Sequence, residues 1–225
     1  MKKLALTDFA KYRYPSALEL SPDGRYLAFA LKEVDREGDG YRWNLWLYDL
    51  ESRESRQITQ GDDQRQAVWE DNTHILYKTT ELDEAMRARG FEEEWTVYHR
   101  LNVCTGEECE AFRLPMSVSG LWKMDEGRYV FTGETHLDRP NLLELTGEAL
   151  EKELVRRQQT KGYKVLTELP LCENGVGMFN QTRITLFLYL EATGEYRRIT
   201  PEDYDVNHVN VRPGQVLFTA FPFRD

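Results

Sequence analysis

Cys104 and Cys109 flank Thr-Gly-Glu-Glu, a spacing that could close a disulfide or offer two thiolates to a metal. A structural zinc site needs four ligands, and neither Cys172 nor His74, His99, His136 and His208 falls at ligand spacing with that pair. The expectation is three reduced thiols and no metal. His74 and His99 sit inside strand-like patterns, as packed or half-exposed side chains. A different chemistry belongs to Glu92, Glu93 and Glu94, which run directly into Trp95. On composition alone they read as a solvated acidic loop. Trp43, Trp46, Trp69, Trp95 and Trp122 could stack on sugars or peptides. Yet Trp46, Trp69, Trp95 and Trp122 lie within or beside strand patterns, where large aromatics fill space between sheets. Packing is the better account of them. No residue is assigned a catalytic, cofactor-binding or metal-binding role.

Bulk composition narrows the setting for these residues. The chain has 225 residues, with 29 Lys plus Arg against 39 Asp plus Glu, a formal net charge of −10. That balance excludes the basic footprint of a nucleic-acid binder or an anionic-membrane binder. Aromatics at 12% are too many for a disordered chain. A compact fold of this length hides about 70% of its unfolded surface, enough for a real core. Three cysteines make no disulfide framework. The opening Met-Lys-Lys-Leu-Ala-Leu-Thr-Asp meets an acid too soon for a signal peptide, and no apolar run approaches the ~20 residues of a membrane span. A soluble, cytoplasmic protein is expected, with no cofactor.

The elements that must position these residues show themselves as a repeat. Leu20-Ser-Pro-Asp-Gly-Arg-Tyr-Leu-Ala-Phe29 reads as strand, turn, strand, and residues 68–77, 123–132 and 211–218 have the same shape. The residue before the second strand is Gly24, Asn72, Gly127 and Gly214 in turn, the types that tolerate positive φ. Asp23 and Asp71 can bond their own backbone in such a turn. A second repeat aligns residues 45–59 to residues 186–200 without gaps, with identities at 45/186, 47/188, 48/189, 54/195, 56/197, 58/199 and 59/200. Residues 96–114 are a divergent copy. Two hairpins per unit make four antiparallel strands, the signature of a β-propeller blade.

The anchors Leu27, Ile75, Val130 and Val216 divide the chain into a lead-in over 1–14 and an incomplete propeller over 15–225. Blades are expected at about 15–61, 62–115 and 116–201, with the first half of a fourth at 207–225. The third spacing is longer by about 35 residues than a blade requires. The excess lies at about 139–162 and reads as a helical insert, with Thr146 as cap and Leu150, Leu154 and Val155 on one face. Leu82 to Gly90 is a shorter helical candidate, stopped by Gly90. The fold class is therefore all-β: three blades, half of a fourth, and a helical insert. A half-built blade leaves an open edge, so the chain reads as the N-terminal portion of a longer protein, able to self-associate through open blade edges.

Residues 6–29, with Asn44-Leu-Trp-Leu-Tyr-Asp49 and Arg56-Gln-Ile-Thr-Gln-Gly61, resemble the N-terminal propeller of the prolyl oligopeptidase family of serine peptidases. The likeness is to its acylaminoacyl-peptidase and dipeptidyl-peptidase branch. Tyr163 to Pro170, followed by Asn174 to Phe179, is similar to the same branch. The resemblance implies a propeller that gates and docks short peptides for a following α/β-hydrolase domain. That domain's nucleophile sits in a Gly-x-Ser-x-Gly elbow. Gly175-Val-Gly177 lacks the serine and Ser117-Val-Ser-Gly120 lacks the spacing, so no catalytic residue transfers to this chain. The dipeptidyl-peptidase branch holds a substrate's free amine with paired propeller glutamates, and the resemblance gives Glu92 to Glu94 that reading. The alternative is a non-enzymatic TolB-like propeller serving as a protein-binding scaffold.

Overall fold

The computed structural model describes residues 5–35, 38, 40–163, 165–168, 172–173, 177–178 and 180–222. Tyr163 to Pro170 and Asn174 to Phe179 therefore lie partly outside the described residues, as do the side chain of Cys172 and the stretch from Phe223 to Asp225. Strands β1 (Tyr14–Leu20), β2 (Tyr26–Asp35), β3 (Gly40–Asp49) and β4 (Glu54–Gln57) form one four-stranded sheet in chain order. A second contains β5 (Val68–Trp69), β6 (His74–Leu82), β7 (Glu94–Asn102) and β8 (Glu108–Leu114), again in chain order. Between β6 and β7 lies helix α1 (Glu84–Ala88). The third sheet begins with β9 (Val118–Asp125) and β10 (Arg128–His136). Then come a 3-10 turn over Leu142–Glu144, helix α2 (Gly147–Thr160), and the two-residue strands β11 (Cys172–Glu173) and β12 (Gly177–Met178). Strands β13 (Thr182–Leu190) and β14 (Glu195–Arg198) complete that sheet, and β15 (Tyr204–Arg212) and β16 (Gln215–Pro222) form a separate hairpin. The architecture is all-β, of blade-like sheets with a helical insert, as the repeats require.

The gap-free repeat is reproduced bond by bond. Leu45 N donates to Thr59 Oγ1 at 2.9 Å, and Leu186 N donates to Thr200 Oγ1 at 3.2 Å. Ile58 N meets Leu45 O at 2.8 Å, and Ile199 N meets Leu186 O at 2.9 Å. The turns obey the same logic. Gly24, Gly127 and Gly214 have φ of 74°, 67° and 71°. Asn72 departs from the expectation and is not among the residues at positive φ. Its turn is closed by Asp71, whose Oδ1 accepts from Thr73 N and His74 N, both at 2.7 Å. In the second hairpins Gly194 has φ 70°, while the aligned Arg53 holds φ 62° with a full side chain.

The chain divides into two compact units, residues 1–80 with 97–113 and residues 81–96 with 114–225. The first unit is centred on Ala28, Ala30, Leu45, Leu47, Trp69 and Ile75. In the second, Val130, Leu186, Leu188 and Val206 join the third sheet to the β15–β16 hairpin. A separate cluster in that unit, Met86, Leu142 and Leu154, binds α1, the 3-10 turn and α2 to one another. Asp83 caps α1, its side chain accepting from Met86 N at 2.9 Å, and Gly90 leaves it at φ 84°. On α2 the outcome differs from the pattern reading. Leu150 and Leu154, four residues apart, face the cluster, but Val155 is turned a further ~100° and stands 56% exposed. Thr146 precedes the helix in extended conformation without a capping bond, because Gly147 enters at φ 56°. Among the described residues, no helix is long and apolar enough to cross a membrane.

Candidate functional site

Strand β10 and the insert enclose a cleft of about 440 Å³ within the second unit. Its apolar base is Met116 and Phe187. Phe187 stacks on Phe131 with centroids 5.0 Å apart, and Tyr196 meets it edge-on at 5.7 Å. Met116 passes over Gly133, where a Cβ would come within 2.5 Å of its Sδ, so a larger residue there would push the thioether aside. The segment is pinned by Thr96, whose hydroxyl donates to Met116 O at 2.8 Å and accepts from Val118 N at 3.2 Å.

The insert supplies the opposite wall. Arg157 of α2 is 13% exposed, and its guanidinium reaches Glu93 Oε1 at 2.8 Å, Glu153 Oε1 at 3.0 Å and Pro140 O at 2.5 Å. Asn141 donates to Pro115 O and accepts from Leu143 N at 3.0 Å, which ties the start of the 3-10 turn to the connection after β8. Glu144 accepts a hydrogen bond from the Tyr196 hydroxyl; burial, then that carboxylate, drives the phenol's pKa upward. Arg89 and Glu151 pair bidentately at 2.9 and 2.6 Å, joining α1 to α2.

Charge in the cleft is unevenly matched: among the described residues that line it, Glu92, Glu93, Glu94, Glu134 and Glu144 stand against Arg139, Arg157 and Arg198. Burial raises Glu134 above the usual carboxylate range, Arg139 opposes this, and the nearby Glu94 adds to it. Among the described residues, neither Glu94 nor Glu134 forms an ion pair with a lysine or arginine; the close contact of Glu134 is His136 Nε2 at 3.5 Å. Burial, then Arg139, pushes His136 down to about 4. Its partners assign the tautomer. Arg139 Nη2 can only donate, and lies 3.0 Å from Nε2, so that nitrogen accepts. The proton sits on Nδ1, 3.2 Å from Thr182 Oγ1. With its basic nitrogen already occupied, this imidazole is not poised to activate Ser117 on the cleft lip. The arrangement suits binding of a cation.

The acidic run thus does line the cleft, in a different role from a simple pair. Glu92 is exposed at the rim, Glu93 is neutralised by Arg157, and Glu94 faces Glu134. Glu134 was not singled out in the sequence, because nothing local links it to a residue on another strand of another hairpin. Cys104 and Cys109 are exposed free thiols, Cys104 Sγ lying 3.9 Å from Tyr26 OH. Among the described residues, no three His, Cys, Asp or Glu side chains gather as a metal group. Trp69 is buried with its indole N–H on Glu19 O at 3.0 Å, and Trp95 donates to Asp83 Oδ2 at 2.9 Å. Trp69 is packed in the core of the first unit as expected, whereas Trp95 is half-buried. His74 is held by Asp71, and His99 stacks on Tyr77 at 5.3 Å.

No family model matches the sequence, and no curated protein matches it. Solved structures do match in fold. An acylaminoacyl peptidase of Pyrococcus horikoshii superposes with a TM-score of 0.58 at 11% identity, over 89% of this chain and 27% of its own. An acylaminoacyl peptidase in complex with Z-Gly-Gly-Phe-chloromethyl ketone gives 0.58 at 12% identity, over 97% of this chain and 33% of its own. The chain therefore spans about a quarter to a third of the length of these structures. What it shares with them is the β-propeller fold, at distant likeness, of peptidases of the prolyl oligopeptidase family.

Proposed function

We propose that this chain is the propeller portion of a serine peptidase, docking and gating short peptides for an α/β-hydrolase domain. The observation that carries the reading is the superposition of 97% of the chain on one third of an acylaminoacyl peptidase that holds a peptide-like inhibitor. The cleft supports it. A peptide's ammonium group is received between Glu94 and Glu134 through charge-assisted bonds, and its side chain rests on Met116 and Phe187. Chemistry is left to the hydrolase domain. The test is hydrolysis of an acetylated and a free-amine dipeptide anilide, by this chain alone and by the natural gene product that contains it. Activity only in the natural product supports the reading. Glu94→Gln and Glu134→Gln then raise KM for the free-amine substrate more than for the acetylated one. A natural product inert toward both substrates overturns it in favour of a binding scaffold.

A further inference from the structure

Resting on the peptide-docking reading of the cleft, we infer that Arg198 is its carboxylate-binding end, and that the peptides it takes are short, end in an apolar residue and carry a free C-terminus. Among the described residues, three arginines line the cleft. Two are already engaged: Arg157 is held by Glu93, Glu153 and Pro140 O, and Arg139 donates to His136 Nε2. Arg198 differs. Among the described residues its Nη1 is buried without a hydrogen-bond acceptor. The carboxylate that approaches it, Glu202 Oε1, stops at 3.6 Å and belongs to a side chain 82% exposed. Arg198 itself is 28% exposed on its side chain, so a ligand in the cleft can reach it. A guanidinium shielded from water with unfilled donors is a receptor for a planar anion, and a carboxylate matches its fork.

The ladder fixes what lies beside that fork. Arg198 on β14 is the direct partner of Phe187 on β13, and Phe187 is the partner of Phe131 on β10. Directly opposed residues of an antiparallel pair share a face, so the guanidinium stands beside the ring at the base of the cleft. Tyr196, two residues back on the same face, packs edge-on against that ring and engages Glu144 through its hydroxyl. A C-terminal residue with its carboxylate on Arg198 therefore lays its side chain on Phe187. The same ladder sets the length of the ligand. Glu134 pairs with Ile184, three residues along β13 from Phe187, and β14 lies two strands from β10. At ~3.3 Å per residue and ~4.8 Å per strand, the Cα atoms of Glu134 and Arg198 are ~14 Å apart. With both side chains reaching inward, a peptide of about three residues, ~10 Å long when extended, spans the gap.

Calorimetric titration of the full chain with Ala-Ala-Phe, its C-terminal amide and its N-acetyl form tests this. Amidation should weaken binding at least about tenfold, the order of one hydrogen bond between charged groups. Arg198→Gln should weaken the free acid to the level of the amide and leave the amide unchanged, with Arg198→Lys in between. Glu202→Gln, at an exposed position, should tighten the free acid and not the amide; it decides the matter if Arg198→Gln misfolds. Free acid and amide that bind equally, while acetylation still weakens binding, overturn the inference and leave the docking reading in place. A preference for the free acid that survives Arg198→Gln overturns it as well. If none of the three peptides binds, both readings fall.

Discussion

Thr59 and Thr200 perform one task in two places: each buried hydroxyl receives a backbone N–H that its own sheet leaves over. Replacing either by valine keeps the shape and strands the amide, so Thr59→Val or Thr200→Val should each cost about 1–3 kcal/mol in urea unfolding. Serine at the same position should recover most of the loss. Arg53 offers the opposite change. Its φ of 62° is unfavourable for any residue with a Cβ, and the repeat has glycine at the aligned Gly194. Arg53→Gly should therefore raise stability, by up to about 1 kcal/mol, after the greater freedom of the unfolded glycine is subtracted. His136 can be followed by NMR. Its ring should titrate near pH 4, and Arg139→Gln should move the midpoint upward. The threonines were legible in the sequence as an identity at 59/200, because a repeated sequence repeats its bonds. The Glu94–Glu134 pair was not, because it depends on which strands lie side by side.

Strand β13 carries a buried arginine, flanked by Thr182 and Ile184 and paired across the ladder with Thr135. Arg183 is 2% exposed and pairs with Glu168 at 2.5 Å, which pins the loop before β13 against the sheet. The hydrogen bond to Arg183 outweighs burial and holds Glu168 below the usual carboxylate range. Removing Arg183 takes the charged partner from Glu168, which is half-buried and still accepts from Gln181 N at 2.8 Å, so Arg183→Ala should cost about 1–3 kcal/mol in chemical unfolding. Methionine with Glu168→Leu should cost less than either single change, since it removes both charges. Hairpins and their turns were readable from sequence because their determinants are local. The Asp-Asn turn at residues 71–72 carries the same aspartate bond as Asp23 without positive φ, so two turn chemistries produced one pattern. On α2 the helix itself was readable, whereas the exposure of Val155 depends on where the cluster of Met86 and Leu142 lies.

Across the whole chain, acid should act in two stages. His136 has a folded value of about 4, below its usual 6.5, so the unfolded chain binds the extra proton. Stability is then lost as pH falls from about 6.5 to about 4. Glu134, raised by burial, acts in the opposite sense and softens this loss. Further down, lowered carboxylates take over. Burial pushes Asp71 up, but Thr73 and His74 outweigh it and hold it at about 2; Glu153 is held low mainly by Arg156. Their contribution is present above the unfolded carboxylate values and disappears as pH falls through the folded ones. Thermal melts from pH 7 to pH 3 should show an early decline, absent in His136→Asn, before the steeper acid loss. The all-β fold was legible at this scale because it is written several times over. The cleft was not, since its lining comes from six separated stretches of chain that only the folded sheet gathers.

The insert begins and ends at one place. His136 and Thr182 are the last paired residues of β10 and β13, and Leu137 N still donates to Gln181 O at 2.9 Å. The excursion between them leaves the sheet and returns to the same rung. It can therefore be exchanged for another excursion that starts and ends on the same rung, provided that the new one also supplies buried Arg183 with a partner in place of Glu168. Such an exchange would carry away Arg139, Asn141, Glu144 and Arg157, while Glu134, Met116 and Phe187 stayed behind. The blade is a socket and the insert a plug, so the charge and shape of one wall of the cleft can be rewritten by changing the plug alone.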